Sequence, residues 1–398
     1  MGTAYPKARI NSDGIVTLSD AERKAHIEKL MGTLKKAVED DAQEINIISG
    51  ETIDFKSKGV LTKVYDLGHW NDDDFNYFLG TLTKNSLPKQ GFLKANELDT
   101  HIFEKFMDYH NYSHDFSVSL LQKTLRIHAV SIYNPQNAAR KEKYCFTIRV
   151  VPTEIPSWDS LHLPDVFKRF SILKGGLVLI SGHTGSGKST TVATLVNLIN
   201  TNPSQKRTIL TVEEPIEFVH KASNSTVMQR SIGFNVESYK QATLDALREN
   251  VDVIVIGELR ESEEMDNAIR LAETGKLVIA TVHSNGPADT IDRIVNSFSG
   301  DIQDNVRSRL VENVVGILHQ NLEVLNHEQV PVASGFIIEN SVNKSKLRKD
   351  FSRNGITKLI TSESTSWCMT QTNSFEELVA KKVVDDTPEN RALLIQVK

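Results

Sequence analysis

Residues 177–190 read LVLISGHTGSGKST, which joins a short apolar run, a glycine-rich loop and the polar start of a helix. From Gly182 to Ser189 the loop matches the pattern G-x-x-x-x-G-K-[ST] at every fixed position. That pattern between a strand and a helix is the phosphate-binding P-loop, and we expect the helix to open at Thr190. A glycine-rich turn with a chance lysine is the alternative, and the complete spacing argues against it.

The residue types in this loop suit a nucleoside triphosphate. Glycines let successive backbone N–H groups turn toward one anion, and the N-terminus of the following helix adds positive potential. Lys188 then reaches the β- and γ-phosphates, and the Ser189 hydroxyl ligates Mg²⁺. The candidate nucleotide-binding residues are Gly182, His183, Thr184, Gly185, Ser186, Gly187, Lys188, Ser189 and Thr190.

Composition places the chain among ordinary globular proteins of two or three domains. It has 398 residues, of which 39% are hydrophobic and 24% charged, and a net charge of −5 that does not indicate a nucleic-acid binder. Its two cysteines, Cys145 and Cys368, are too few for a disulfide framework or a zinc site. The polar N-terminus lacks the apolar core of a signal peptide, and no apolar run approaches the ~20 residues of a spanning helix. We therefore expect a cytoplasmic protein whose membrane contact is peripheral.

The part of the chain before residue 155 predicts two helices and several antiparallel strands. Apolar residues at helical spacing indicate one helix over residues 20–40, and the acidic run Asn71–Asp74 caps a second. Glu44–Ile48 reads as a strand. Three further stretches alternate apolar and polar residues, as half-buried antiparallel strands do: 116–120, 125–129 and 146–150. Arg126 and Arg149 are out of phase with these apolar residues, and solvated arginines off the core face are the plain interpretation.

After the P-loop, polar residues follow three apolar strands. Thr208–Val212 runs into Glu213 and Glu217, and Val251–Ile256 runs into Glu258. Open α/β sheets bind ligands at the carboxyl ends of their strands, so these carboxylates are candidate site residues. Glu258 is the candidate base that orients and deprotonates the attacking water.

Two neighbours of this candidate site carry alternative interpretations. A structural ion pair between Glu258 and Arg260 is the alternative to catalysis at Glu258. The strand over residues 276–282 ends at His283, which is a candidate sensor of the γ-phosphate. A purely structural histidine is the alternative there.

The remaining segments predict mostly helices. A helix over Ser238–Glu249 is expected to direct Leu244 and Leu247 inward, and the region after residue 300 reads as helical. The apolar spacing there indicates three helices: Val306–Gln320, Leu347–Ile360 and Phe375–Val384. The basic run Lys344–Lys349 reads as a solvated face, with a membrane or partner patch as the alternative.

Five motifs in fixed order give the chain a resemblance to the PilT-type branch of the type II/IV secretion superfamily of ATPases. They are Walker A (182–190), the Asp box (209–220), Gln229-Arg230, Walker B (252–260) and the His box (272–292). The resemblance extends weakly into residues 146–152 and 163–170, and toward the C-terminus through residues 366–384. It implies a hexameric ATPase that uses ATP and Mg²⁺.

The same resemblance implies an α/β fold: a RecA-like P-loop motor with a PAS-like α+β N-terminal domain and a C-terminal helical region. The expected bounds are a PAS-like domain over 1–155, a linker over 156–170, a motor core over 171–300 and a helical region over 301–398. Prolines mark the linker, and Trp158 and Leu161 are its expected anchors.

The resemblance also implies roles for single residues. Arg126 and Arg149 match arginines that reach the nucleotide, often of a neighbouring subunit, while Glu213 and Glu217 match carboxylates that help to place Mg²⁺ and water. His283 matches the second histidine of the His box. The candidate catalytic residues are therefore Glu258, Glu213, Glu217, Arg126, Arg149, Arg260 and His283, and the candidate metal ligands are Ser189 and Glu258.

The chain departs from the family pattern at four places that bear on turnover rate and on coupling between subunits. Glu214 stands where the Asp box usually has an aspartate, and Lys276 replaces the first histidine of the His box. Asn250-Val251 replaces the common Asp-Pro before the Walker B strand, and Thr124 occupies the position of one usual arginine in the N-terminal strands. Compared with many other NTPases, Gly257 replaces a Mg²⁺-binding aspartate, so Ser189 carries more of the direct ligation.

Several functions fit these motifs. The chain lacks a tetracysteine element, which favours retraction-type motors and motors of type IVB secretion and conjugation over assembly-type relatives. The sequence segments 151–153 and 295–300 favour the DotB/TraJ-type group, and a type IV pilus retraction motor is the alternative. The expected partners are a homohexamer and inner-membrane platform or secretion-system proteins, without direct nucleic-acid binding. A RecA-like nucleic-acid motor and a P-loop phosphotransferase are the less favoured classes.

Overall fold

The computed structural model describes residues 9–10, 16–17, 20–39, 42, 44–48, 53–57, 60–65, 113–120, 123–133, 142–151, 154–233, 235–325, 328–362 and 366–395. Contacts divide the chain into two compact units, Met1–Thr153 and Glu154–Lys398. Helices and strands are numbered here over the described residues. The predicted helix that begins at Asn71–Asp74 lies outside them.

The first unit is an antiparallel sheet with one described helix. Its elements are β1 (Arg9–Ile10), β2 (Val16–Thr17), α1 (Asp20–Glu39), β3 (Glu44–Ile48), β4 (Ile53–Ser57), β5 (Val60–Tyr65), β6 (Ser113–Leu120), β7 (Lys123–Tyr133) and β8 (Glu142–Val150). Six strands form a sheet in the order β5-β4-β3-β8-β7-β6, and its neighbours are antiparallel. Ile45, Ile127 and Ile148 are fully buried on one face of this sheet, and Leu34 of α1 is fully buried as well.

The helix and the strands predicted for this unit from residue spacing are confirmed over the described residues. Its resemblance to a PAS-like domain stays a prediction. The four-part division of the chain also stays a prediction, because the contacts define two units only.

The second unit is an α/β layer structure around one large sheet. Its strands are β9 (Gly176–Ser181), β10 (Thr208–Glu213), β11 (Thr226–Ser231), β12 (Val253–Ile256), β13 (Leu277–Val282), β14 (Val314–Leu325), β15 (Glu328–Ile337) and β16 (Cys368–Met369). Its helices are α2 (Asp165–Lys168), α3 (Lys188–Thr201), α4 (Tyr239–Arg248), α5 (Ser262–Glu273), α6 (Pro287–Asn296), α7 (Gln303–Asn313), α8 (Ser341–Lys349), α9 (Arg353–Ser362), α10 (Gln371–Ala380) and α11 (Pro388–Ile395). Short 3₁₀ turns cover Asp159–Leu161 and Arg169–Ile172.

The eight strands of this sheet lie in the order β11-β10-β12-β13-β9-β14-β15-β16. The first six are parallel to their neighbours, and β15 and β16 add antiparallel pairs. Every residue of β12 and β13 is buried, as expected for parallel strands that are covered on both faces. Trp158 is 1% exposed in the same core, which confirms its predicted anchoring position. The parallel order brings the carboxyl ends of β9, β10, β12 and β13 to one edge.

The prediction that Leu244 and Leu247 point inward is wrong. They are 41% and 44% exposed, although the helix itself is confirmed and Ser238 caps it. The buried face of α4 consists of Tyr239, Ala242, Thr243 and Ala246. The two leucines lie on the opposite, exposed side of the helix.

The helix predicted over Val306–Gln320 is also wrong in its second half. Helix α7 ends at Asn313, and the chain continues directly into β14, which pairs in parallel with β9. The apolar residues from Val314 to Leu318 show no periodicity that would distinguish a buried strand from a buried helix. This segment forms a strand because it pairs with β9. The region after residue 300 therefore supplies three strands to the large sheet as well as helices. Residues 347–360, predicted as one helix, belong to α8 and α9.

The basic run at residues 344–349 is more than a solvated face. Lys344 donates a hydrogen bond to the Val314 carbonyl at 3.1 Å, and burial lowers the pKa of this lysine to about 8. Arg348 forms an ion pair with Glu312, and the Lys346 ammonium lies 5.9 Å from the ring centre of Trp367. Among the described residues, no helix is both long and apolar enough to cross a membrane.

Candidate nucleotide site

The P-loop connects β9 to α3 at the carboxyl edge of the large sheet. Strand β9 ends at Ser181, and α3 begins at Lys188, two residues earlier than predicted, with Gly187 as its N-cap. Lys188 and Ser189 therefore belong to the first helical turn, where the backbone N–H groups lack partners within the helix. His183, Thr184 and Ser189 are exposed, so the rim of the loop is open to a ligand.

Strand β14 forms the floor of this loop. A Cβ atom added at Gly182 would collide with the Gln320 carbonyl oxygen, so the loop can approach β14 this closely only with glycine there. The Gln320 side chain donates a hydrogen bond to the Ser186 carbonyl at 2.6 Å and accepts one from the Thr191 hydroxyl at 2.8 Å. Gln320 thus fixes both the loop and the start of α3.

Lys188 lies folded over the loop. Its ammonium donates hydrogen bonds to the carbonyls of Gly182 at 2.8 Å and His183 at 2.7 Å. Burial lowers the pKa of Lys188, while the charges of Glu258 and Glu217 act to raise it. The candidate base at the tip of β12 and one carboxylate of the Asp box therefore share the electrostatic field of the P-loop lysine.

Glu258 is held from two sides at the end of β12. Its Oε2 accepts hydrogen bonds from Arg260, at 2.9 Å from Nε and 2.8 Å from the terminal nitrogen. Its Oε1 lies 3.2 Å from Nε2 of His283. The structural pairing with Arg260 is therefore present, and it coexists with a position in the field of Lys188.

Gly257, where many NTPases carry an aspartate, lies in a tightly packed position. A Cβ atom added there would lie 3.0 Å from the Tyr239 hydroxyl and 3.2 Å from the Val212 carbonyl oxygen. The backbone is held as well, because the Gly257 N–H donates to the Val212 carbonyl at 2.8 Å and its own carbonyl accepts from Thr281. A longer side chain at this position would therefore require Tyr239 or its neighbours to shift by a few tenths of an ångström.

The two Asp-box glutamates differ in their surroundings. Glu213 accepts hydrogen bonds from the Thr211 hydroxyl at 2.6 Å, the Gln229 amide at 3.3 Å and the Glu217 N–H at 3.2 Å. Burial raises the pKa of Glu213. Its Oε1 is bound to β10 and β11 and its Oε2 to the Glu217 N–H, so Glu213 ties the loop to the sheet. Glu217 carries the charge that acts on Lys188.

Gln229 belongs to a motif of the family resemblance, but the sequence analysis assigned it no role. It lies on β11 opposite Thr211. Besides Glu213, its amide donates to the Phe218 carbonyl at 2.8 Å, and its oxygen accepts from the His220 N–H at 2.8 Å. One glutamine thus joins both ends of the Asp box. The motif marked the position, and only the contacts across the sheet show what the side chain binds.

His283 lies between the two charged groups of the site. Burial lowers its pKa first, the charge of Lys188 adds to this, and Glu258 acts in the opposite direction. The ring is therefore held toward its neutral form. A neutral ring nitrogen beside Glu258 orients the carboxylate without cancelling its charge.

The site suits Mg²⁺ bound together with a nucleotide. Among the described residues, no cluster of three or more histidine, cysteine, aspartate or glutamate side chains is arranged to hold a metal alone. Mg²⁺ at nucleotide sites takes most of its ligands from phosphates and water, so one hydroxyl and one carboxylate suffice from the protein. Ser189 is exposed in the first turn of α3, as such a ligand requires.

Arg126 and Arg149 belong to the first unit, Met1–Thr153, so their place relative to the P-loop stays a prediction. Within that unit they lie directly opposite each other on β7 and β8, on the face away from the core. Arg149 is exposed, and Glu44 of β3 lies opposite it on the other side.

A complete P-loop at the carboxyl edge of a mostly parallel sheet defines a P-loop nucleotide-binding protein of the α/β class. The sequence profile of the family described as "Type II/IV secretion system protein" matches residues 164–388, more than half of the 398 residues. The chain therefore belongs to this family, and its resemblance to the PilT-type branch is confirmed.

Curated relatives match about half of this chain. A "Twitching motility protein" of Neisseria gonorrhoeae is 39% identical over 207 residues, covering 49% of this chain and 55% of the relative. The "Type IV pilus retractation ATPase PilT" of Pseudomonas aeruginosa is 40% identical over 174 residues, covering 44% of this chain and 50% of the relative. The chain thus spans about half the length of these two relatives.

Solved structures match nearly the whole chain. The pilus retraction motor PilT with bound ADP has a TM-score of 0.68 and 27% identity, and the match covers 91% of this chain and 98% of that one. The ATPase DotB of Legionella pneumophila has a TM-score of 0.72 and 21% identity, with 95% of each chain covered. At 21% identity, the similarity to DotB supports the fold alone. Together the two structures confirm the predicted α/β fold class.

Proposed function

We propose that this chain is a Mg²⁺-dependent ATPase that converts hydrolysis into mechanical work at a bacterial cell-envelope machine. The observation that carries the proposal is the juxtaposition of a complete P-loop with Glu258, whose charge acts on Lys188 across the same sheet edge. The relatives named as pilus and twitching-motility proteins support the mechanical role.

In this proposal the P-loop holds the nucleotide. The loop amides and Lys188 bind the β- and γ-phosphates, and Ser189 and Glu258 are the protein groups that hold Mg²⁺. When bound, Mg²⁺ would neutralise part of the negative charge of the phosphates. Gln320 keeps the loop at a fixed height above β14, which preorganises the amides before the nucleotide arrives.

In this proposal, residues at the carboxyl ends of the strands carry out the hydrolysis step. A water molecule beside Glu258 attacks the γ-phosphorus, the bond from that phosphorus to the bridging oxygen breaks, and ADP leaves. Glu258 accepts the proton of the water. Arg260 holds one oxygen of Glu258 and His283 faces the other, so both orient the base. Glu217 places water near the metal, and Glu213 keeps the loop that carries Glu217 in shape.

Phosphate release from ATP by the purified protein tests this proposal. We expect release with ATP and Mg²⁺, loss of release when EDTA removes the metal, and activity that coelutes with the protein on a sizing column. Absence of release, or release that EDTA does not reduce, would contradict the proposal. Activity that elutes apart from the protein would contradict it equally.

The proposal includes a homohexamer in which Arg126 and Arg149 of one subunit reach the nucleotide of the next. Support comes from two facing arginines on a unit that has no P-loop of its own. An arginine supplied across an interface requires a head-to-tail ring that closes. Mass measurement with an ATP analogue and Mg²⁺ is expected to give six subunits. A fully active monomer would refute both the ring and the role of the arginines.

The particular machine is a finer proposal with two candidates. The phrases at residues 151–153 and 295–300 favour type IVB secretion or conjugation, with docking on inner-membrane platform or secretion-system proteins from the cytoplasmic side. The identity of 39–40% to twitching-motility and pilus retraction proteins favours a type IV pilus. Gene neighbourhood separates them: relaxase and coupling-protein genes indicate conjugation, whereas pilin genes indicate a pilus.

A further inference from the structure

A chain of buried polar side chains lies beneath the P-loop, and the mechanism above does not use it. His319 of β14 is 1% exposed, and its Nδ1 lies 3.3 Å from the Ser181 hydroxyl. The Thr290 hydroxyl of α6 lies 3.0 Å from that of Ser181, and the Ser284 hydroxyl lies 2.7 Å from that of Thr290. These four residues are called the His319 chain below. Ser181 and Thr290 are fully buried, so water does not reach its centre.

The His319 chain connects the two halves of the candidate site. Ser181 is the last residue of β9 and immediately precedes the P-loop. Ser284 immediately follows His283, whose Nε2 lies 3.2 Å from Glu258. The chain therefore ties the backbone that starts the P-loop to the backbone that carries a partner of the candidate base.

The hydroxyl protons couple the members of the His319 chain. Thr290 has one hydroxyl proton and three possible acceptors, the Gly286 carbonyl at 2.8 Å and the hydroxyls of Ser181 at 3.0 Å and Ser284 at 2.7 Å. When Thr290 donates to Ser181, the Ser181 hydroxyl can donate to Nδ1 of His319, and the neutral ring then carries its proton on Nε2. When Ser181 donates to Thr290, His319 can donate from Nδ1 to Ser181. The direction of these hydrogen bonds is therefore coupled to the tautomer of His319.

The second ring nitrogen of His319 indicates that this residue does more than fill space in the core. Its Nε2 is buried and has no hydrogen-bond partner among the residues that the structure describes. Burial, with the charges of His183 and Lys188, lowers the pKa of His319 to about 4, so the ring is neutral. Leaving a buried polar atom unpaired is unfavourable, and an apolar side chain would avoid the cost.

We propose that His319 is a positioning residue, which fixes the P-loop relative to the His283–Glu258 pair through Ser181, Thr290 and Ser284. This inference rests on the proposed ATPase function. Because the His319 chain lies below the loop, and the loop amides and Lys188 bind the nucleotide, its loss should slow hydrolysis while nucleotide affinity stays unchanged. Misplacing reacting groups by about 1 Å costs up to ~10²-fold in rate.

Variants at three positions test the proposal. His319→Leu removes both nitrogens, His319→Asn keeps a polar group near the place of Nδ1, and Thr290→Val breaks the chain at its centre with little change of shape. Ile317→Val, on the same strand and fully buried, is the control for lost packing. Nucleotide affinity and kcat are measured for each, together with the double variant of His319→Leu and Thr290→Val.

We expect His319→Leu and Thr290→Val each to lower kcat by about tenfold to a hundredfold, without a change in affinity. The double variant should fall no further than the single ones, because both break the same chain. His319→Asn should recover most of the rate, and Ile317→Val should match the wild type. If His319→Leu does not fold, Thr290→Val and His319→Asn decide the matter by the same comparison.

Three results would overturn the role of His319. They are losses that multiply in the double variant, a kcat of His319→Leu equal to that of Ile317→Val, and a loss of affinity in place of rate. These results are distinct from failure of the proposed function, which would appear as no turnover by the wild type.

Discussion

The P-loop and the strand-tip cluster of Glu213, Glu258 and His283 differ in how the chain builds them. The P-loop is one contiguous segment, and Lys188 is anchored on backbone carbonyls five and six residues away. The strand-tip cluster comes from three strands that meet only because β10, β12 and β13 are parallel neighbours. Binding therefore depends on local loop geometry, whereas chemistry depends on the register of the sheet. Substitutions should separate the two.

The largest expected effect falls on the P-loop. Lys188→Ala removes the cation that lies closest to the phosphates, so nucleotide binding and turnover should both be lost. Lys206→Ala, at an exposed lysine after α3, is the control and should behave as the wild type. Nucleotide affinity by calorimetry and phosphate release are the measurements. Wild-type values of both for a folded Lys188→Ala protein would refute the assignment of the P-loop.

A smaller effect is expected at Glu213, which supports the strand-tip cluster without performing chemistry. Glu213→Gln keeps the size of the side chain but turns one acceptor into a donor, which opposes one of its three donors. Turnover should fall by roughly tenfold, with affinity retained, because the loop carrying Glu217 shifts slightly. A fall of affinity with normal turnover would place Glu213 in the binding region instead.

The same variant gives a dependence on pH with a defined sign. Burial raises the pKa of Glu213 above the ordinary carboxyl value of 4.5, so the folded protein holds this proton more tightly than the unfolded chain. The stabilisation is fully present below that ordinary value and is lost as pH rises through the raised pKa. The melting temperature of the wild type relative to Glu213→Gln should therefore fall as pH rises above the ordinary carboxyl value. A constant difference would contradict the raised pKa.

The two regions were also unequal in how far the sequence predicted them. The P-loop, its strand and the acidic strand ends follow from local patterns, because glycine spacing and β-branched runs are short-range signals. Gln320 and Gln229 could not be assigned, since each acts through contacts with segments distant in sequence. The strand formed by residues 314–320 was not predicted for the same reason. It depends on pairing with β9, whose partner residues lie 137 to 138 positions earlier in the sequence (314 − 177 and 316 − 178).

The exposed leucines of α4 show a related limit. Periodicity locates the apolar residues of a helix, but it does not say which face of the helix the rest of the protein covers. Here Ala242 and Ala246 are fully buried, whereas the two leucines are exposed. The elements that pack on a helix, which are set by the tertiary fold, determine its orientation.

Measuring ATP affinity and phosphate release side by side for Glu258→Gln tests most directly whether the P-loop binds the nucleotide and the strand tips carry out hydrolysis. This change keeps size and hydrogen bonding but removes the negative charge, while Glu263→Gln, at an exposed glutamate on α5 that pairs with Lys240, is the matched control. We expect Glu258→Gln to bind ATP as the wild type does and to release phosphate ~10²–10⁴-fold more slowly, as for a lost general base. Loss of ATP binding with near-normal turnover at saturation would contradict the division between a binding loop and a catalytic strand tip, and the base would then be sought at Glu217 or Glu213.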